Sequence, residues 1–176
     1  MHLLSLLPTV LLASTAASRA THSLSAFGRE QVHLNDGFPI PGDNPLKYCE
    51  DPKDYILEVT KVDLSPNPPK AGTALSINGV GNLRSNVTKA AKVHLQVKYG
   101  MIRLINQEVD FCDHVKEVGK ECPLEKGPLE IKKDVNLPNE IPPGTYTVIA
   151  DVFQEVEGKD PETITCFEAT VTFSRG

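Results

Sequence analysis

The chain has 176 residues, 40% of them hydrophobic and 23% charged, with a formal net charge of −5. That length suits one domain with a buried core plus segments removed in maturation, and the composition excludes both a disordered polyelectrolyte and a membrane bundle. The acidic balance lacks the cationic footprint that a phosphate backbone requires, so nucleic acid is not an expected partner.

Residues 1–20 read as an export signal. An apolar run over 3–13 is broken only by Ser5, Pro8 and Thr9, and small residues follow, so that cleavage falls after Ala17 or Ala20. The run is too short and proline-interrupted to span a bilayer, and a buried helix would need an amphipathic continuation that is missing. The expected destination is the secretory pathway, ending in secretion or a vacuolar lumen. Residues 21–45 are rich in Ser, Gly, Asp, Asn and Pro and read as a propeptide or disordered arm. The folded domain is therefore expected over 46–176.

Seven strands follow, at about 55–64, 73–80, 92–99, 101–111, 129–137, 145–155 and 166–173. The first stops at Ser65-Pro66-Asn67-Pro68-Pro69, where prolines cannot continue a ladder. In the second, Leu75 and Ile77 share a face, and Gly79, Gly81 and Asn82 are expected to end it. Residues 79–84 lack the third glycine and following helix of a dinucleotide site. The cleanest alternation is Val93, Leu95, Val97 and Tyr99 against His94, Gln96 and Lys98. The next strand is apolar on both faces early in its length. Either it borders a pocket or edge, or a bulge near Leu104-Ile105 shifts its parity. In 145–155, Tyr146, Val148, Ala150 and Val152 point inward and Asp151 outward; Phe153 breaks the pattern, either exposed at a rim or turned in by a bulge.

No segment sustains helical periodicity, so the class is all-β: an immunoglobulin-like sandwich of two antiparallel sheets, without the tryptophan of a usual immunoglobulin core. Cys49, Cys112, Cys122 and Cys166 in an exported chain read as two disulfides, and the absence of any CxxC argues against zinc. Of three possible connectivities, Cys112 with Cys122 closes a small loop and Cys49 with Cys166 ties the start of the domain to its last strand; this pairing is favoured. Asn86-Val87-Thr88 is an N-glycosylation sequon, which places Asn86 on the surface if used.

Catalytic signatures are missing: the chain has no GxSxG, P-loop or HExxH. Asp110, Asp113 and His114 cluster around Cys112, but with that cysteine in a disulfide they are expected to be exposed loop residues without catalytic geometry. No metal, cofactor or reaction is expected. The stretch 111–146 instead leads from the disulfide loop through Leu129, Ile131, Val135 and Leu137 to a proline corner at 138–143, which fits the rim of an apolar pocket between sheets. Composition alone favours a closed, dry core.

Several short motifs occur in order along 46–173. They are Val62-Asp63-Leu64-Ser65-Pro66, Lys70-Ala71-Gly72, Cys112 to Cys122-Pro123-Leu124-Glu125-Lys126-Gly127, Leu137-Pro138 and Cys166-Phe167-Glu168. On these the chain resembles the ML lipid-recognition family, in particular its fungal phosphatidylglycerol/phosphatidylinositol transfer branch, which is related to the secretory sterol-binding proteins of the Niemann-Pick type C kind. The resemblance implies a hollow sandwich with an inter-sheet lipid cavity and the cysteine pairing above. By position it puts the entrance near Ile102, Leu104, Leu137 and Ile141, with Val152 or Phe153 in the wall; the strand alternation adds Val97, Tyr99, Val135 and Phe167 to the expected lining. Lys70 matches a lysine of the membrane-facing mouth. Relatives with a third disulfide carry cysteines where this chain has Asn67-Pro68-Pro69. An anionic headgroup on an acidic protein needs local cations, for which Lys70, Arg103, Lys132 and Lys133 are candidates.

The resulting expectation is a monomeric protein that shuttles a phospholipid or sterol, touches membrane surfaces transiently and has no cofactor. The alternative is an immunoglobulin-like module with a closed core that binds a protein or glycolipid partner.

Overall fold

The alternating segment with Val93, Leu95 and Val97 forms β5 (Ala91–Tyr99), the strand about which the larger sheet is ordered. The computed structural model describes residues 37–174. The export signal, its cleavage site and most of the arm lie outside the described residues.

In chain order the other strands and the α-helix are β1 (Phe38–Pro39), β2 (Leu46–Tyr48), β3 (Leu57–Ser65), β4 (Ala74–Leu83), β6 (Ile102–Asp110), α1 (Phe111–Lys116), β7 (Gly127–Asn136), β8 (Gly144–Gln154) and β9 (Glu162–Phe173), with a single-turn 3-10 helix at Pro52–Asp54 between β2 and β3. They form a six-stranded sheet, β1-β2-β9-β8-β5-β6, and a three-stranded sheet, β3-β4-β7. Every pairing is antiparallel. The expected all-β sandwich is what the chain forms.

Register fixes the faces, because directly paired residues point the same way. Val97 pairs with Val148 and Ile105, and Leu95 with Ala150, which in turn pairs with Phe167. These side chains face the smaller sheet, whose own inward row runs Val62–Gly79–Ile131. The strand β3 seats against the β2 and β9 side, with Val59 N donating to Tyr48 Oη at 3.2 Å and Ile56 N to Thr163 O at 3.1 Å. That arrangement leaves β6 and β7 as the opposite pair of edges, joined at one end by α1. There a closed core packs Ile56, Leu83, Val87, Ala91, Val115, Leu124, Leu129, Val152 and Ile164. Both disulfides form as favoured, Cys49–Cys166 and Cys112–Cys122.

Three local expectations are corrected, and one that stood open is decided. Residues 37–45, assigned to the arm by composition, pack into the fold: Ile40 is buried, and Pro41 O and Asp43 O accept from Val62 N and Leu64 N at 2.8 and 2.9 Å. Their polar residues are hydrogen-bond partners, with Asn44 Nδ2 donating to Val62 O at 2.7 Å. The strand β4 does not end at Gly79 but continues through Gly81 and Asn82 to Leu83, because β7 pairs with it along that whole length. The segment after β6 is a short helix, α1, capped by Asp110, whose carboxylate accepts from Cys112 N and Asp113 N. Leu104 is the extra residue of a bulge, since Val97 pairs with Ile105 and Lys98 with Arg103. The bulge explains the two apolar faces.

Candidate functional site: an apolar cavity between the sheets

The inward rows do not meet everywhere. Between them lies a cavity of about 200 Å³ lined by Leu57, Val59 and Val62 of β3, Ile77, Gly79, Val80 and Gly81 of β4, Leu129 and Ile131 of β7, and Leu46 and Phe167 of the larger sheet. No lining residue is charged. A Cβ built on Gly79 would meet no heavy atom within 4 Å, whereas one on Gly81 would lie 2.7 Å from Glu58 O. Gly81 thus permits close strand packing, while Gly79 leaves open space on the inward row. Glycine inside a strand often marks such a place.

The end of the sandwich away from the closed core is held by the proline corner. Leu137 N donates to Thr73 O and Gly72 N to Pro138 O, tying the corner to the smaller sheet. Tyr99 Oη donates to Pro143 O at 3.1 Å and Tyr146 Oη to Pro142 O at 2.9 Å, tying it to the larger one. The rings of Tyr99, Tyr146 and Phe173 pack in series, the first pair tilted and the second edge to face, with centroids 5.1 and 5.6 Å apart. Beside them the β5–β6 hairpin projects apolar side chains into solvent: Met101 is 99% exposed, Ile102 63%, Leu104 55% and Ile105 39%. Register puts Ile102 and Ile105 on the inward face, so the sandwich is open along its β6 edge.

Of the residues expected in the pocket, Phe167 lines the cavity. Val97, Tyr99 and Ile102 occupy inward positions nearer the open end, and Val135 does so on β7. Val152 is inward and buried in the closed core, while Phe153 pairs with Lys92 and points outward. Leu137 and Ile141 are half-buried in the corner, and Leu104 sits exposed at the bulge. Lys70 is exposed, and Arg103 pairs with Lys98 on the outer face. Asn86 is exposed, its Oδ1 accepting from Lys126 N at 2.8 Å. The cavity walls on β3 and β4 were missed because Gly79 and Gly81 read as punctuation; their spacing of two on an alternating strand was the available signal.

A larger cleft of about 800 Å³ is lined by Glu50, Asp51, Lys53, Asp54, Arg84 and Glu162 among others. Its charged walls suit water rather than hydrocarbon. Tyr55 borders it with its ring buried, and burial, reinforced by Glu50 and Asp151, pushes the hydroxyl up to about 12. Around Cys112 the polar residues are engaged structurally. Asp113 pairs with Lys116 at 2.8 Å, which holds its carboxyl below the usual range, and His114 lies 3.4 Å from Glu117. Among the described residues no group of His, Cys, Asp and Glu is arranged to hold a metal.

Comparison with known proteins agrees with this architecture. The ML domain family model matches residues 43–173. A phosphatidylglycerol/phosphatidylinositol transfer protein of Pyricularia oryzae is 52% identical over 151 residues, covering 84% of this chain and 83% of that protein. One of Aspergillus fumigatus is 46% identical over 170 residues, covering 96% and 95%. Among solved structures, a Niemann-Pick type C2 protein from Japanese carpenter ant superposes with a TM-score of 0.51 at 14% identity, over 73% of this chain and 98% of that one. With two antiparallel sheets around an apolar cavity, and a sequence matched along nearly all of its folded region, this chain belongs to the ML domain family.

Proposed function

We propose that this protein takes a phospholipid, of the phosphatidylglycerol or phosphatidylinositol class, out of one membrane and delivers it to another, carrying the acyl chains between its sheets. The observation that carries this reading is the uncharged cavity beside Gly79, continuous in register with the exposed inward face of β6. Two further supports are the family and the transfer function named for relatives at 52% and 46% identity.

The physics requires no chemical step. Exposing an acyl chain to water costs about 0.8 kcal/mol per methylene, and a protein cavity replaces the bilayer interior as the apolar surroundings. The cavity of about 200 Å³ is smaller than the roughly 300–1,000 Å³ of sites that enclose whole small-molecule ligands. Loading therefore parts the sheets at β6 and β7, the outermost strands on that side among the described residues. The exposed Met101, Ile102 and Leu104 dock the open end on a bilayer, with Lys98 and Arg103 beside them for anionic headgroups. The protein acts as a monomer, without cofactor or catalysis, after export to a secreted or vacuolar location.

Extraction of the purified, exported protein followed by lipid mass spectrometry tests the reading. Phospholipid at near-stoichiometric amount is expected; sterol alone would change the ligand class, and the absence of any lipid, together with no transfer between vesicles, would favour a closed recognition module.

A further inference from the structure

Among the described residues, the inward register positions from Leu57 to Leu64 on β3 and their partners on β4 and β7 hold a single charged side chain; the other inward charge, Glu162, lies at the closed-core end, where it pairs with Gln154. Lys133 pairs with Ile77, and Ile77 with Leu64, one row along from the Val62–Gly79–Ile131 row that lines the cavity. In the larger sheet the rows through Val93, Leu95, Val97 and Tyr99 contain no charge. A lysine on such a face costs stability unless its ammonium reaches a partner or water. Lys133 does so because β7 is an edge strand. Its stem stays on the apolar face, its side chain is 33% exposed, and its ammonium leaves sideways to the carboxylate of Glu117, just past α1. Lys133 holds the Glu117 carboxyl below the usual range, and His114 also lies against it. The ion pair thus stands where the α1 bridge between the two edges ends and the open part of the edge begins.

We propose that Lys133 is the headgroup counter-ion of the cavity: its ammonium binds the phosphodiester of an anionic phospholipid whose chains lie between the sheets, and Glu117 is the carboxylate that this phosphodiester displaces. This inference rests on the lipid-transfer reading above. The other cations fit less well. Lys70 is exposed, Arg103 faces outward, and Lys132 points outward and pairs with Glu130 at 2.8 Å. The exchange is selective on charge grounds. A phosphatidylglycerol or phosphatidylinositol headgroup offers a net anion to the ammonium. A choline headgroup brings its own cation, which Lys133 repels.

The test measures transfer of fluorescent phosphatidylglycerol and fluorescent phosphatidylcholine from phosphatidylcholine vesicles by the exported protein and three variants. Wild type is expected to prefer phosphatidylglycerol. Lys133→Gln should lower the phosphatidylglycerol-to-phosphatidylcholine rate ratio about tenfold, the scale of one charge-assisted hydrogen bond. Lys133→Arg should keep the preference, and Glu117→Gln, which leaves the ammonium unpaired, should raise it severalfold. An unchanged ratio in both Lys133→Gln and Glu117→Gln would overturn the assignment while leaving the cavity in place. Failure of wild type to move either lipid would overturn the cavity reading itself. Inorganic phosphate in excess at matched ionic strength should leave the ratio intact; its loss there would make Lys133 a site for free anions instead.

Discussion

Space opposite Gly79 is the feature of the cavity that a single substitution tests best. Its Cβ position is open while that of Gly81 is blocked by the Glu58 carbonyl, so a larger side chain at 79 enters the cavity without disturbing β3. Gly79→Leu should reduce lipid uptake at least tenfold in the vesicle assay. Because it fills apolar space and replaces a strand glycine, it should also stabilise the fold by about 0.5–2 kcal/mol in thermal or denaturant unfolding. Lost transfer with lost stability would mean that the site is packed and not hollow. In the local sequence only the spacing of two between Gly79 and Gly81 hinted at this role. Gly79, Gly81 and Asn82 carry the composition of a turn, and only pairing with β7 shows that the strand runs on through them. The inward position of Phe167 was legible because Phe167, Ala169, Val171 and Phe173 alternate along the second half of β9, whereas Phe153 required the pairing with Lys92 to be placed outward.

The β5–β6 hairpin is exposed at its tip because it extends past the point where the smaller sheet covers the larger. Met101 and Leu104 contribute apolar surface that the described residues leave exposed. The double substitution Met101→Asp and Leu104→Asp should slow transfer between anionic vesicles by tenfold or more, while stability stays within about 0.5 kcal/mol of wild type, as expected for exposed positions. Transfer at the wild-type rate would move the docking surface elsewhere. β5 and the stretches 146–152 of β8 and 166–173 of β9 were readable from sequence because a sustained period of two fits a half-buried strand and no helix. The six-residue α1 was not, since it makes fewer than two turns and its identity rests on the Asp110 cap. Residues 37–45 were misread for a different reason: Asn44, Asp43 and Gly42 have the composition of a flexible arm, but here they bond to the backbone of β3 or approach it closely.

At the scale of the molecule, closure and opening are segregated. The end containing α1 and the Cys112–Cys122 disulfide has a continuous core, and Cys49–Cys166 pins the start of the domain to β9. Among the described residues, the opposite end and the β6 and β7 edges are held by a proline corner, the hydrogen bonds of Tyr99 and Tyr146 and the Lys133–Glu117 ion pair. A sandwich built this way can spread on one side without losing its fold, which is what passage between a bilayer and a protein cavity demands. The two-sheet class and the cysteine pairing followed from sequence pattern. The location of the cavity did not, because it depends on where two surfaces fail to meet. The most direct test uses phosphatidylglycerol carrying a photoactivatable diazirine near the end of one acyl chain, loaded into the protein and irradiated, with the labelled peptides identified by mass spectrometry. Label on Ile77–Gly81 of β4, Leu129–Ile131 of β7 and Phe167 is the expected result; label confined to the hairpin tip or to the charged cleft around Arg84 would contradict carriage between the sheets.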